Sequence, residues 1–334
     1  MGKPITKGSH FLPRTYLKHF LLENKLLMYK KGKIFFKSNL DSRQRIIEIS
    51  GEKGLNRIGK ENNLYRIELR EGIAPNLFED LFQEIAENNF DNLVEKIKKK
   101  GIDERIEDKL KEKISIFIAV MRLRTPLFKW EIEEATAQFV KNTTKWNARM
   151  INEEEKERLK VDYEKETGKM ITDKEFKETI EDMAQGEFDG TKIEFSNNLF
   201  LKAIALSLEK HSYIFFNMKM GILKAKEGRY FVTSDNPVVY FVPKEKVNFY
   251  NNYKSLASPF TEVFFSLTKD YGIYLCRKDG YREIVMSADR KMIDIFNENI
   301  AINSKDFIFS PLKMNFLNKF IEEYIPYPFK ITTT

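Results

Sequence analysis

Three short stretches carry the side chains that could do chemistry. In "YFVTSDNPVVY", residues 230–240, the polar run Ser234-Asp235-Asn236-Pro237 separates two strand-like apolar runs. Pro237 pushes Asn236 toward extended geometry, and Ser, Asp and Asn side chains bond readily to nearby main-chain amides, so a fixed turn is expected. Asp235 then either holds its own loop or is presented rigidly at a strand end, as a catalytic or ligand-orienting carboxylate would be. The second stretch is "SHFLPRTYLKHF", residues 9–20. His10 precedes a helix start and Arg14 falls in its first turn, so free amides, an imidazole and a guanidinium together suit an anion. The third is "VMRLRTP", residues 120–126, where an almost wholly apolar helical run ends in Arg122 and Arg124. Buried guanidinium groups need a carboxylate, main-chain carbonyls or an anionic ligand, and Asp235 is one candidate partner.

These residues define a candidate site: His10, Asp235 and Arg124 as catalytic groups, with Arg14, Tyr16, Arg122, Ser234 and Asn236 binding substrate. His19 and His211 are read as packing residues. No cofactor is called for, and the sequence supplies no metal-ligand set, although a divalent ion on Asp235 and one Glu of "WEIEEA" is not excluded.

Bulk properties narrow the function classes. The chain has 334 residues, of which 42% are hydrophobic and 32% charged, a folded globular composition. Its 28 Phe call for an extensive core, and the single cysteine, Cys276, rules out an internal disulfide and a Cys-based zinc site. That cysteine usage and the lack of a signal-peptide core in the opening residues point to the cytoplasm. No stretch is apolar enough to span a bilayer, so no membrane partner is expected. The net charge of +7 is uneven: residues 151–190 hold 14 Asp and Glu against 7 Lys and Arg, a local −7, which leaves +14 on the rest. A basic body suits a nucleic acid or nucleotide, and a lysine-rich surface without such a partner is the bland alternative.

The elements that must position these residues read as α+β, predominantly helical with a small, mostly antiparallel sheet. Helical spacing follows Pro13, and two short strands flank Lys31-Gly32-Lys33. Residues 75–150 read as helices, ended once by Gly101 and interrupted or kinked at Pro126. Residues 197–225 read as one long helix, 229–233, 237–242, 262–267 and 272–276 as strands, and 287–302 and 313–324 as helices around a short "DFIFS" element. Strands and helices do not alternate regularly, and neither GxxxxGK[ST] nor GxGxxG occurs. The expected organisation is a single α+β domain over residues 1–334, with a charged helical insertion at 151–190 in which Thr172 and Glu175 form a capping box.

Taken together, the three stretches resemble an uncharacterised bacterial family, domain of unknown function 4238. The shared features are His10, Pro13, Tyr16, Leu17 and Phe20; Arg124-Thr125-Pro126 at a helix end; Thr233 to Pro237 after a strand; and a downstream helix with Asn297 leading to a short strand that ends at Ser310. The resemblance covers nearly the whole chain and is weakest over 151–190. It implies no activity. Phage defence or a toxin role is a context for such bacterial proteins, not something the residues indicate.

Three functions are compatible with the residues. One is a nuclease-like enzyme acting on a phosphodiester or nucleotide, with His10 as general acid or base, Asp235 as its partner, and Arg14 and Arg124 stabilising developing charge. Another is a protein that binds an anionic ligand or nucleic acid without turnover. In the third, the motifs form a buried polar network that locks the N-terminal helix to the sheet.

Overall fold

A computed structural model describes residues 8–31, 45–67, 74, 76–188, 193–247 and 255–322. Residue contacts divide the chain into two units, residues 1–129 with 201–334, and residues 130–200. The elements run β1 (Gly8–His10), α1 (Arg14–Leu17), β2 (Lys25–Lys30), β3 (Ile46–Ser50), α2 (Gly51–Leu55), β4 (Lys60–Asn62), α3 (Leu77–Phe82), α4 (Phe90–Lys98) and α5 (Asp108–Leu123). They continue with α6 (Pro126–Met150), α7 (Glu153–Thr167), α8 (Asp173–Gln185), α9 (Asn197–Asn217), β5 (Lys219–Ala225), β6 (Thr233–Ser234), β7 (Val238–Phe241) and β8 (Glu262–Ser266). The last are β9 (Tyr271–Cys276), β10 (Val285–Ala288), α10 (Arg290–Asn303), β11 (Phe307–Ser310) and α11 (Asn318–Glu322). The fold is therefore mixed α+β with small, mostly antiparallel sheets. No helix among the described residues is long and apolar enough to cross a membrane.

In the larger unit, β10-β5-β9-β8-β7 form one sheet, antiparallel except where β10 runs parallel to β5. A second sheet, β3-β2-β11-β6, is antiparallel throughout, and β1 pairs with β4 in a separate ribbon. The chain between Phe231 and Tyr240 is thus not a hairpin: β6 belongs to one sheet and β7 to the other. Pro237 has no N–H to offer a ladder, so the first pairing ends there and Val238-Val239 begin the second.

Aromatic packing ties the N-terminal segment to both parts of this core. The Tyr16 ring lies 5.1 Å from Phe20 and 5.8 Å from Phe265, while Phe90 stacks on Phe117 at 4.3 Å. Each such pair adds ~0.5–1.5 kcal/mol beyond burial. Helix α5 is buried on nearly every side from Ile114 to Leu123, as its all-round apolar sequence requires. It ends at Arg124, and Thr125 Oγ accepts the Phe128 N–H at 3.2 Å, the bond of an N-cap, with Pro126 at the first helical position. The helix break at Pro126 is therefore a fresh start, not a kink. Gly59 sits at φ +64°, and a Cβ there would come within 2.8 Å of Leu12 Cβ, so only glycine lets the chain between β1 and α1 and the segment before β4 approach this closely.

In the unit over residues 130–200, α7 and α8 each start with a full capping box, Asn152 with Glu155 and Thr172 with Glu175. Each ends on a left-handed glycine, Gly168 and Gly186.

Several element boundaries differ from the sequence reading. Of the 229–233 run only Thr233 pairs as a strand, together with Ser234. The long helix over 197–225 stops at Asn217, and Lys219–Ala225 is β5, an interior strand between β10 and β9. Short apolar runs carry no period that separates a buried helix from a buried strand. Strand β10 precedes α10, which begins at Arg290, where the Asp289 carboxylate caps Met292 N at 2.8 Å. The second strand expected beside Lys31-Gly32-Lys33 lies outside the described residues.

Candidate functional site

Ser234, Asp235 and Asn236 sit where the chain passes from one sheet to the other. Ser234 Oγ fixes the turn, donating to Asn236 O at 2.9 Å and accepting Asn236 N–H at 3.2 Å. Asp235 does not bond its own turn. Its Oδ1 accepts the Lys305 N–H at 2.9 Å, and its Oδ2 accepts those of Asp306 at 2.6 Å and Phe307 at 3.0 Å. The Asp235 N–H returns a bond to Phe307 O, extending the β6–β11 ladder. The carboxylate therefore clasps the loop between α10 and β11. Asn236 Nδ2 adds a bond to Asn303 O at 3.0 Å. Asn297, inside α10, takes the Val232 N–H and donates to Tyr230 O, standing in for a strand neighbour. The polar motif and the downstream Asn-bearing helix are thus one hydrogen-bonded assembly.

Asp235 is only 6% exposed. Burial pushes its carboxyl up to about 6 from an ordinary 3.8, the three main-chain N–H groups oppose that rise, and the Asp306 charge adds to it. A buried ammonium lies close by. Lys31 Nζ donates to Ala301 O at 3.0 Å and Ser304 O at 2.8 Å, on the C-terminal carbonyls of α10. Burial lowers its pKa, while Asp235 and Asp306 pull it back up.

Arg124 forms a second polar centre. It is fully buried, yet each terminal nitrogen of its guanidinium is bonded: Nη1 to Glu87 Oε1 at 2.8 Å and Nη2 to His10 O at 2.5 Å. Its carbonyl accepts the Tyr65 hydroxyl, and its guanidinium lies 4.9 Å from the Phe82 ring centre. Glu87 ends a π-helical turn, Gln83–Glu87, whose wider spacing aims the carboxylate inward. The carboxylate partner of Arg124 is thus Glu87, not Asp235. It is the main-chain carbonyl of His10, not its ring, that meets Arg124. Burial, then the charges of Lys60 and Arg124, hold the His10 imidazole below its usual pKa, and Nε2 is buried with no hydrogen-bond partner.

The other sequence candidates separate. Tyr16 is buried. Its hydroxyl donates to Ser266 O at 2.6 Å, and Thr233 Oγ lies 2.7 Å away, so the N-terminal helix is bonded to the strand just before Ser234. Arg14 is exposed and reaches Asn56 Oδ1 at 3.4 Å. Arg122 lies between the rings of Tyr240, at 5.2 Å, and Phe128, at 5.5 Å.

Asp235 presents a small edge to a cleft of about 360 Å³. Part of the lining is the segment Arg57-Ile58-Gly59-Lys60-Glu61 with Phe11, and another part is Lys305-Asp306-Phe307 with Phe309. Met28, Lys30, Pro126 and Leu127 complete the lining. Neither His10 nor Arg124 is among the lining residues. Arg57, Lys60, Lys305 and Asp306 were not singled out from sequence. The available signal was weak: two basic residues, Arg57 and Lys60, around Gly59, and Lys305 directly ahead of the Asp306 that opens "DFIFS". Among the described residues, no three His, Cys, Asp or Glu side chains gather as a metal ion would require.

A family model described as "Protein of unknown function (DUF4238)" matches residues 9–313, a span that includes all three motifs. No curated protein and no solved structure matches the chain. On the extent of the family match, the chain belongs to the DUF4238 family.

Proposed function

We propose that the cleft beside Asp235 takes a phosphate-bearing ligand, a nucleotide or a phosphodiester, and processes it. The observation that carries this reading is the cation set: Arg57, Lys60 and Lys305 line the cleft without a carboxylate partner among the described residues. Unpaired cations grouped around a concave surface attract an anion, and one arginine can grip two phosphate oxygens at once. Asp235 is the proton-transfer group of this reading. A carboxyl pushed up to about 6 exchanges its proton near neutral pH, as a general acid or base must. His10, outside the lining, takes no direct part. The basic surplus outside residues 151–190 favours a nucleic acid or nucleotide as the source of the phosphate.

A second reading, binding without turnover, draws on the same carboxylate. Three main-chain N–H groups already occupy Asp235, the way a loop-fixing aspartate is held. One experiment separates the two. The protein is incubated with nucleoside mono- and triphosphates, RNA and DNA, with and without chelator, while melting temperature and products are followed. A rise in melting temperature with product supports processing, and a rise without product supports binding alone. No rise with any of these compounds contradicts both.

A further inference from the structure

The two parts of the cleft lining differ in what they could hold. The 57–61 part carries Arg57 and Lys60, with no carboxylate partner among the described residues, and suits a phosphate. The 305–309 part of the lining combines aromatic rings with Asp306. Phe307 is half-buried there, its ring centre 6.4 Å from that of the fully buried Phe309, and the buried Phe11 lies along the same cleft. Flat rings beside a polar group are how proteins hold an unstacked nucleobase. The cleft volume, about 360 Å³, falls in the range of roughly 300–1,000 Å³ that encloses small ligands and is too small for a duplex.

Asp306 is presented rigidly, because its main chain is held from two sides: its N–H by Asp235 Oδ2 at 2.6 Å and its carbonyl by the Lys31 N–H at 2.9 Å. Its side chain lines the cleft and makes no hydrogen bond or ion pair among the described residues. An ionised carboxylate only accepts hydrogen bonds, through two parallel oxygens. Guanine alone among the common bases offers two adjacent donors, N1–H and the N2 amino group, on its Watson–Crick edge. Adenine and cytosine place one donor beside a ring-nitrogen acceptor that a carboxylate repels, and uracil places its N–H between two carbonyls.

We infer that the cleft selects a guanine mononucleotide, with Asp306 reading the base edge, Phe307 covering the ring, and Arg57 and Lys60 taking the phosphate. The inference rests on the phosphate-binding reading above and narrows it to one base.

The test is calorimetric titration of the full chain with GMP, AMP, CMP and UMP at fixed ionic strength, in wild type and in Asp306→Asn. The main-chain bonds of residue 306 do not depend on its side chain, so this variant keeps the clasp on Asp235. GMP is expected to bind roughly tenfold more tightly than the other three, as one bidentate base contact allows. Asp306→Asn should remove that preference, lowering GMP affinity and raising that of AMP, whose ring-nitrogen acceptor the carboxylate no longer repels. Equal binding of all four by wild type would overturn the guanine assignment while leaving the phosphate site intact. Persistence of the preference in Asp306→Asn would overturn the role of Asp306. If none of the four binds, the phosphate reading falls together with the guanine assignment.

Discussion

Two buried charges, Arg124 and Asp235, both sit at the ends of regular elements, yet their surroundings differ in kind. Arg124 is enclosed by a carboxylate, a carbonyl and two aromatic rings, and every contact is a scaffold contact. Asp235 takes its hydrogen bonds from main-chain N–H groups, with the Lys31 ammonium nearby, next to a cleft lined by three cations that lack carboxylate partners among the described residues. The first arrangement fixes β1 to the helices and consumes its charge doing so. The second fixes a loop and leaves the residues beside it, Lys305 and Asp306, facing open space. A charged motif at a helix or strand end therefore indicates burial, and only its neighbours indicate whether a ligand can reach it.

The contrast can be broken most forcefully at Arg124. Arg124→Leu leaves Glu87 inside without its partner and the His10 carbonyl unbonded, which should cost about 4 kcal/mol in urea unfolding. Replacing both Arg124 and Glu87 with Met should recover part of that loss. If the double variant is no better than the single one, the pair is not the source of the effect. Asp235→Ala comes next: three main-chain N–H groups lose their acceptor, and stability should fall by about 3 kcal/mol. A loss below about 0.5 kcal/mol would mean that the clasp is dispensable.

A pH series sharpens the comparison on a smaller scale. The Asp235 carboxyl is raised from 3.8 to about 6 in the fold, so the native state keeps its proton where the unfolded chain has lost it. Its contribution to stability is therefore greatest at low pH, falls as pH climbs from about 4 to about 6, and is level above that. Wild type measured against Asp235→Asn should show this decline, since the amide cannot titrate. A difference that is flat or rises across that window would mean that the carboxyl is not raised.

Parts of this were legible in the sequence because local chemistry decides them. The Thr172 capping box, the fixed turn at Ser234 and the buried run ahead of Arg124 each follow from side chains acting within a few residues. What was hidden depends on distant partners. Nothing near Asp235 shows that its carboxylate closes on residues 305–307, or that β6 and β7 belong to different sheets. Glu87 is invisible as the mate of Arg124 because a π-turn, not helical spacing, aims it. Lys60 looks like any surface lysine until β1 and β4 pair and place it along the cleft.

The most direct test is a titration of GMP and AMP into Arg57→Ala/Lys60→Ala, alongside a melting curve of the same variant. These side chains are exposed, so the fold should hold within about 0.5 kcal/mol of wild type while affinity for both nucleotides drops by tenfold or more. Undiminished affinity in a folded double variant would contradict the assignment of the cleft as the place where a phosphate is held.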